Sequence, residues 1–411
     1  MTAVPNDDLL CIFKECVRSL IDPDVASSEM SQGVEVPDYL VSRYAAALAS
    51  DTRTGILSNL WYHALNGLGP FRIEECARAL LRRVAEGYDP TTIHESLLEL
   101  LTSKKASAVF VASLEGFSCE APIQVSEGIS LVPPDLVPGS HATTVVFDLP
   151  RDSNSFTRRG HHFGPPLEAA FIVEHVGIEV IIPSLGEDQP FPRIQEFEET
   201  KRQMKVTLNA ILLASGHAPA VRDQYVVFTD PGWPGERASG WSSDYTTRHY
   251  VQPSRGFNPN DLPRLHRLLS TSTMTSALDL AIEKLERSRR FLRLEDRVVE
   301  LGTCLEMLMM HNESASNAEI TNKISHRSAW LLGRTFEERK SIFFKTKALY
   351  ADRSAAVHKG KLKKPETTQT DAYDRLCQAL ILELLERGSW PDPWTDLTLG
   401  GSASRAHSVH S

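Results

Sequence analysis

The sequence has no long apolar run. Its uninterrupted apolar stretches are short, such as Ala169-Ala170-Phe171-Ile172-Val173, and none approaches the ~20 residues that a membrane-spanning helix needs. Cysteine is sparse, with six in 411 residues, and no two stand as C-x-x-C. They are scattered along the chain, and a reduced cysteine packs as a small hydrophobe, so neither a disulfide framework nor a zinc ribbon is expected. The start, Met-Thr-Ala-Val-Pro-Asn-Asp-Asp, is acidic where a secretion signal is basic, and the expectation is a cytoplasmic protein without a membrane partner. Several chemical signatures are missing as well. There is no G-x-x-x-x-G-K-[ST] phosphate loop, no G-x-G-x-x-G, no G-x-S-x-G and no H-E-x-x-H, which removes the commonest nucleotide, hydrolase and zinc-protease motifs.

What remains is ordinary globular composition, 41% hydrophobic and 24% charged. At about 150 residues per domain, the length predicts two or three domains. The net charge of −9 is unevenly placed. Residues 1–255 carry 21 Lys+Arg against 33 Asp+Glu, or −12, whereas residues 256–395 carry 22 against 19, or +3. A basic unit on an acidic chain can steer a polyanion to one place.

The patterning predicts a multidomain α+β protein. Residues 1–105 read as a helical region, with Leu9, Ile12, Phe13 and Cys16, then Cys76, Leu80, Leu81 and Val84, at helical spacing. Residues 106–255 read as a mixed α/β or β-rich domain. Its strand candidates are Val109–Val111, Ile129–Val132, Thr144–Phe147, Val176–Ile182 and Tyr225–Phe228, and a helix is predicted over 191–215. Pairing direction is open at this stage. Trp233 and Trp241, in a Gly/Pro-rich loop, suit either a base-stacking platform or a staple holding the loop to its own domain. His161-His162 reads as a solvated pair rather than a metal site, because adjacent side chains point different ways.

Residues 256–395 read as a helical bundle. One stripe is Leu278, Ala281, Ile282, Leu285 and Leu292, and a second is Val298, Leu301, Leu305, Leu308 and Met309. Ser316-Asn317-Ala318-Glu319, Thr335-Phe336-Glu337-Glu338 and Thr368-Gln369-Thr370-Asp371 have the form of helix starts. Gly388 followed by Pro391 marks the last helix end. Residues 396–411 read as a disordered tail.

One constellation in this bundle bears on chemistry: Arg353-Ser354-Ala355-Ala356-Val357-His358, an R-x4-H. With 30 Arg and 14 His in 411 residues about one such match is expected by chance, and the chain has two, the other being Arg405 to His410. Context separates them. Arg353 and His358 lie near the end of an amphipathic helix, with Gly360 just beyond. Lys359, Lys361, Lys363 and Lys364 follow, and Arg339, Lys340, Lys345 and Lys347 precede. Such cations suit a phosphate backbone or, equally, a solvated helix end favoured by the dipole.

Residues 277–388 resemble a HEPN domain of the ApeA-like kind. The resemblance rests on Arg293-Leu294-Glu295-Asp296-Arg297-Val298-Val299-Glu300-Leu301 with Leu305-Glu306-Met307-Leu308, on Ile324-Ser325-His326-Arg327-Ser328-Ala329-Trp330-Leu331-Leu332, and on Leu349-Tyr350-Ala351-Asp352 running into the R-x4-H. The chain departs from the family pattern by placing Lys359 between His358 and Gly360. The resemblance covers about a quarter of the chain. It implies a metal-independent, cofactor-free endoribonuclease acting as a homodimer, two R-x4-H motifs meeting in one cleft, often as a toxin or antiviral effector with a regulatory or antitoxin protein. Other members only bind RNA, nucleotide or a protein partner. An unrelated enzyme with its site in 106–255 is the third reading.

The residue types suit RNA chemistry. RNA carries its own nucleophile, the 2′-OH. Histidine titrates near neutral pH and can move its proton, and arginine presents a planar donor fork to a phosphate whose charge grows in the transition state. Expected catalytic residues are Arg353, His358 and Ser354, with Lys359, Lys361, Lys363 and Lys364 binding substrate. On a straight helix five residues turn through about 500°, leaving Arg353 and His358 about 140° apart, while Ser354 and His358 share a face. One helix thus supplies half a site, and a two-fold copy can supply the rest. Arg327, on the apolar stripe between Ile324 and Leu331, needs a partner if buried, and Glu306 is the expected one.

Overall fold

A computed structural model describes residues 8–21, 36–64, 67–139, 143, 146–147, 167–183, 194–235, 237–243, 255–270, 276–311, 319–362 and 366–398. The expected pair His161-His162, the start signal at Ser316 and the tail beyond residue 398 lie outside these residues. The fold is mixed α+β, with helices throughout the C-terminal part. Among the described residues no helix is long and apolar enough to cross a membrane. The chain divides into two compact units, Met1–Met204 with Val221–Tyr245, and Lys205–Ala220 with Thr246–Ser411. Residues 1–105 and most of 106–255, distinct in sequence pattern, thus share one unit.

In the first unit, helices α1 (Asp8–Ile21), α2 (Asp38–Ser50), α3 (Ile73–Ala85) and α4 (Pro90–Ser103) each turn an apolar stripe inward. Phe13 of α1 stacks on Tyr44 of α2 with centroids 4.6 Å apart. Asp89 caps α4 by accepting from the Thr92 N–H at 2.9 Å, and Pro90 follows it at the first helical position, where a missing N–H costs nothing. The supposedly helical region also holds two short strands, β1 (Leu60–Ala64) and β2 (Gly67–Pro70), paired antiparallel. Their few residues leave no room for a readable alternation.

Next come β3 (Lys105–Glu115), β4 (Phe117–Ser118), β5 (Ile123–Ser126), β6 (Ile129–Val132), β7 (Ala169–Glu179), β8 (Ile181–Pro183), β9 (Ala220–Phe228) and β10 (Ala238–Ser243). Six of them form one sheet in the order β10-β9-β3-β7-β6-β5. The β3–β7, β6–β7, β5–β6 and β9–β10 pairings are antiparallel, which decides the direction left open by the sequence. The β3–β7 register sets Phe110 opposite Val173. Because β3 is buried almost throughout, it reads as a continuous apolar run rather than an alternation. Of the strand expected at Thr144–Phe147, the described residues Val146 and Phe147 are helical instead, and Val146 packs into a cluster with Val111, Ile172, Tyr225 and Val227. Tertiary burial there overrides a β-branched local preference.

Trp233 is fully buried, stacks on Phe228 at 3.7 Å, and meets Tyr62 and Phe71 edge-on. It is the staple of its loop, and the stacking-platform reading fails for it; the side chain of Trp241 lies outside the described ones. His175 Nε2 is 2.9 Å from the Thr200 hydroxyl, and burial lowers its pKa. A depressed imidazole binds its proton first in the unfolded chain, so its contribution to stability is present above about pH 6.5 and is lost as pH falls through the folded value. Thermal denaturation between pH 7.5 and 5 should show this loss, and His175→Gln should flatten that part of the profile.

The helix α5 (Gln195–Ser215) contains the division between the units. In the second unit its C-terminal half joins α6 (Leu262–Ser270), α7 (Ser276–Arg290), α8 (Leu294–Met309), α9 (Ile320–Leu332), α10 (Phe336–Lys359), α11 (Thr367–Arg387) and the short α12 (Trp394–Thr398). One core contains Leu278, Ile282 and Leu285 of α7, Leu301, Leu305 and Leu308 of α8, Ile324 of α9, Leu349 of α10 and Leu380 and Ile381 of α11, together with Leu212 and Leu213 of α5. These are the stripes expected from the sequence, apart from Leu292, which lies beyond the end of α7 and is exposed. The box Thr335/Glu338 is formed in full: Thr335 Oγ1 accepts from the Glu338 N–H at 3.2 Å, and Glu338 Oε2 from the Thr335 N–H at 2.9 Å. The other two start signals are displaced. Glu319 itself precedes α9, at φ +62°, and Glu366 rather than Thr368 precedes α11.

Candidate functional site

The site grows from the last two turns of α10. Gly360 ends this helix at φ +64° and donates its N–H to the Ala356 carbonyl at 2.9 Å. Glycine takes this left-handed conformation at no steric cost. The helix therefore ends one residue after His358, with Lys359 as its final residue, and the inserted lysine is accommodated inside the helix.

Arg353 is held from three sides. Its stem lies against Gly302 of α8, where a built Cβ would sit 2.4 Å from Arg353 Cγ. Its Nη2 donates to Glu306 Oε2 at 3.2 Å, and the Tyr350 hydroxyl donates to Glu306 Oε1 at 2.7 Å. The guanidinium also lies 5.6 Å from the Tyr350 ring centroid. Glu306 thus bridges α8 to two residues of α10 that are three positions apart, which share a helix face. Burial, followed by the bond to this carboxylate, pushes the Tyr350 phenol up to about 12, so it remains a donor at neutral pH. Arg353 Nε is buried without a hydrogen-bond partner among the described residues.

His358 is exposed on the final turn and makes no hydrogen bond among the described residues. No hydrogen bond joins it to Arg353, as the 140° separation on one helix requires. Ser354 is half-buried, one turn before His358. Lys359 and Lys361 are exposed, whereas Lys363 and Lys364 lie outside the described residues. Upstream, Lys340, Lys345 and Lys347 are exposed, and Arg339 instead covers the Trp330 ring at 3.5 Å and donates to the Gly333 carbonyl. The adjacent Asp352 faces α11, accepting from the Tyr373 hydroxyl at 2.9 Å and from Gln369 Nε2 at 3.2 Å. These bonds fix the rotation of α10 against its neighbour.

The expected pair Arg327–Glu306 is corrected. Arg327 is buried, but its Nη1 donates to the Met309 carbonyl at 2.5 Å and its guanidinium lies over the Trp394 ring at 4.9 Å. A helix C-terminal carbonyl and an indole face share the burden of desolvating it. Glu306 belongs to Arg353 and Tyr350. Sequence reasoning missed that role, although the i, i+3 spacing of Tyr350 and Arg353 was visible.

Gly302 gives a direct test of the geometry. Gly302→Ala must push the Arg353 stem away from α8 or shift the helices, at a cost of about 1–3 kcal/mol. The Arg353–Glu306 contact should then be lost in a crystal structure of the variant. Unchanged stability and an unmoved Arg353 would refute the close packing.

Comparison of the chain with protein-family models, with curated proteins and with solved structures finds no match.

Proposed function

We propose that the second unit is a HEPN-like helical bundle, about residues 256–395, and that the protein is a metal-independent endoribonuclease. The observation that carries this reading is the division of labour on α10. Arg353 is oriented by Glu306 and Tyr350, while His358 stands exposed on the last turn beside Lys359 and Lys361. In the proposed reaction a 2′-oxygen attacks the adjacent phosphorus and the bond to the 5′-oxygen breaks. His358 moves a proton at one of these oxygens, and Arg353 Nη1, which makes no hydrogen bond among the described residues, stabilises the charge that builds on the phosphoryl oxygens. Ser354 lines the same face as His358. The products are a 2′,3′-cyclic phosphate and a 5′-hydroxyl, and DNA, lacking the 2′-OH, is inert. Since one α10 cannot aim Arg353 and His358 at one phosphate, a second copy related by a two-fold axis supplies the other half. The reading requires no metal or cofactor, and an effector role under the control of a regulatory or antitoxin protein accords with it.

The pairing of Arg353 with Glu306 favours a second reading, a silent HEPN-like module that binds RNA, nucleotide or a partner protein. A gel-based cleavage assay on single-stranded RNA separates the two. Cleavage by the wild type that disappears in His358→Ala supports the nuclease, and binding without cleavage in both supports the module.

A further inference from the structure

In the first unit a cleft of about 940 Å³ opens beside α3, and its lining is unusually rich in arginine. Arg72, Arg78, Arg82 and Arg83 come from α3 and the residue before it, and Arg237 comes from the segment leading into β10. Against these five cations the described lining carries two carboxylates, Glu75 and Glu86, so the formal charge of its described residues is +3. This lies in the half of the chain whose total is −12. The concentration of cations is therefore local and opposes the overall balance.

The arginines are unequally committed. Arg78 is held by Asp38 at 2.7 Å, and Arg72 by Glu75 at 3.2 Å. Arg83 is 2% exposed and donates to the Asp230 and Pro231 carbonyls at 2.5 and 3.0 Å. The carbonyls are neutral, and the Glu86 and Asp230 carboxylates nearby offset its burial only in part. Burial, and then the nearby Arg237 cation, push its pKa down to about 10. Arg237 Nη2 lies 3.3 Å from Glu86 Oε2, but off hydrogen-bonding geometry, and both Nη2 and Nε are buried without hydrogen-bond partners among the described residues. Arg82 is exposed at the cleft and has no ion-pair partner among the described residues. Two like charges pressed together, with unused donors, form a site that an anion would complete.

The remaining lining is aromatic. Tyr88 lies under the Arg237 guanidinium at 5.1 Å from its ring centroid, and Tyr62 and Phe71 pack against each other at 4.9 Å. Flat rings beside guanidinium forks suit a ligand with a planar base and a chain of phosphates, and the volume is of small-molecule size. We infer that this cleft binds a nucleoside polyphosphate, with Arg82, Arg83 and Arg237 facing the phosphates and Tyr88 facing the base. This site is separate from the residues proposed for RNA cleavage, and its test needs no RNA.

The test is isothermal titration calorimetry of the full chain with ATP, and in separate runs with inorganic pyrophosphate and with adenosine. ATP should bind with measurable heat, more tightly than either fragment. Arg82→Glu, at an exposed position, should weaken ATP binding by at least about tenfold, and Arg82→Lys should weaken it less. Tyr88→Ala should weaken ATP while leaving pyrophosphate unchanged. Thermal melts of each variant establish that it is folded, and Arg237→Gln gives a second phosphate-side variant should any of them melt early. Absence of ATP binding at millimolar concentration, or equal binding by wild type and a folded Arg82→Glu, overturns the site. Equal affinity for ATP and pyrophosphate overturns the base-binding half.

Discussion

His358→Ala is expected to lower RNA cleavage by about 10²–10⁴-fold, the range for losing a general acid or base. Its folding stability should stay within about 0.5 kcal/mol of the wild type, because the imidazole is exposed and makes no hydrogen bond among the described residues. The combination matters, since loss of activity through unfolding would lower both. Arg353→Ala should differ. It removes a packed stem and leaves Glu306 with Tyr350 alone, so stability and cleavage should fall together. Mass analysis of the wild-type products should show 2′,3′-cyclic phosphate ends, and a DNA copy of the substrate should remain intact. Sedimentation during turnover examines the shared site: a chain that cleaves RNA as a strict monomer refutes it, and so does unimpaired cleavage by His358→Ala.

The second large effect is structural. Arg289 of α7 is 6% exposed, and Asp374 of α11 is 7% exposed. Arg289 Nε donates to Asp374 Oδ2 at 2.8 Å, and its Nη2 reaches Asp374 Oδ1 and, at 3.0 Å, Gln378 Oε1. Its Nη1 donates to the Gly216 carbonyl at 2.6 Å. Gln378 Nε2 completes the arrangement by donating to the Leu213 carbonyl at 2.9 Å. One guanidinium therefore ties the end of α5 to two helices of the bundle. Removing one partner leaves the other charge buried, so Arg289→Met or Asp374→Leu should each cost about 3–5 kcal/mol in urea denaturation. The double variant should cost much less than the two losses added, because it leaves no orphaned charge. Single losses below about 1 kcal/mol, or simple additivity, would contradict this account.

Much of the bundle was legible in the chain itself. Stripes at helical spacing reappear as the buried faces of α7, α8 and α11, and the Thr335/Glu338 box starts α10 as read. These signals are local, set by the 3.6-residue period and by the first turn's spare N–H groups. The strands β1 and β2 and the helical turn at Val146–Phe147 were not legible. There, short segments take the conformation that their surroundings bury best, and five residues hold too little pattern to announce it.

The candidate sites divide in the same way. The sequence by itself determined that Arg353 and His358 share one helix but not one face, because the α-helical twist depends on spacing alone. It also determined that a glycine would end that helix just beyond them. Only the tertiary structure decided that Glu306 serves Arg353 and Tyr350 rather than Arg327, and that Trp233 is a buried staple. It alone gathered Arg237, more than 150 residues along the chain from Arg82 and Arg83, into one cleft with them. Charge partners and clefts are set by distances across space, and residue spacing along a chain carries no record of them until the helices and strands have packed.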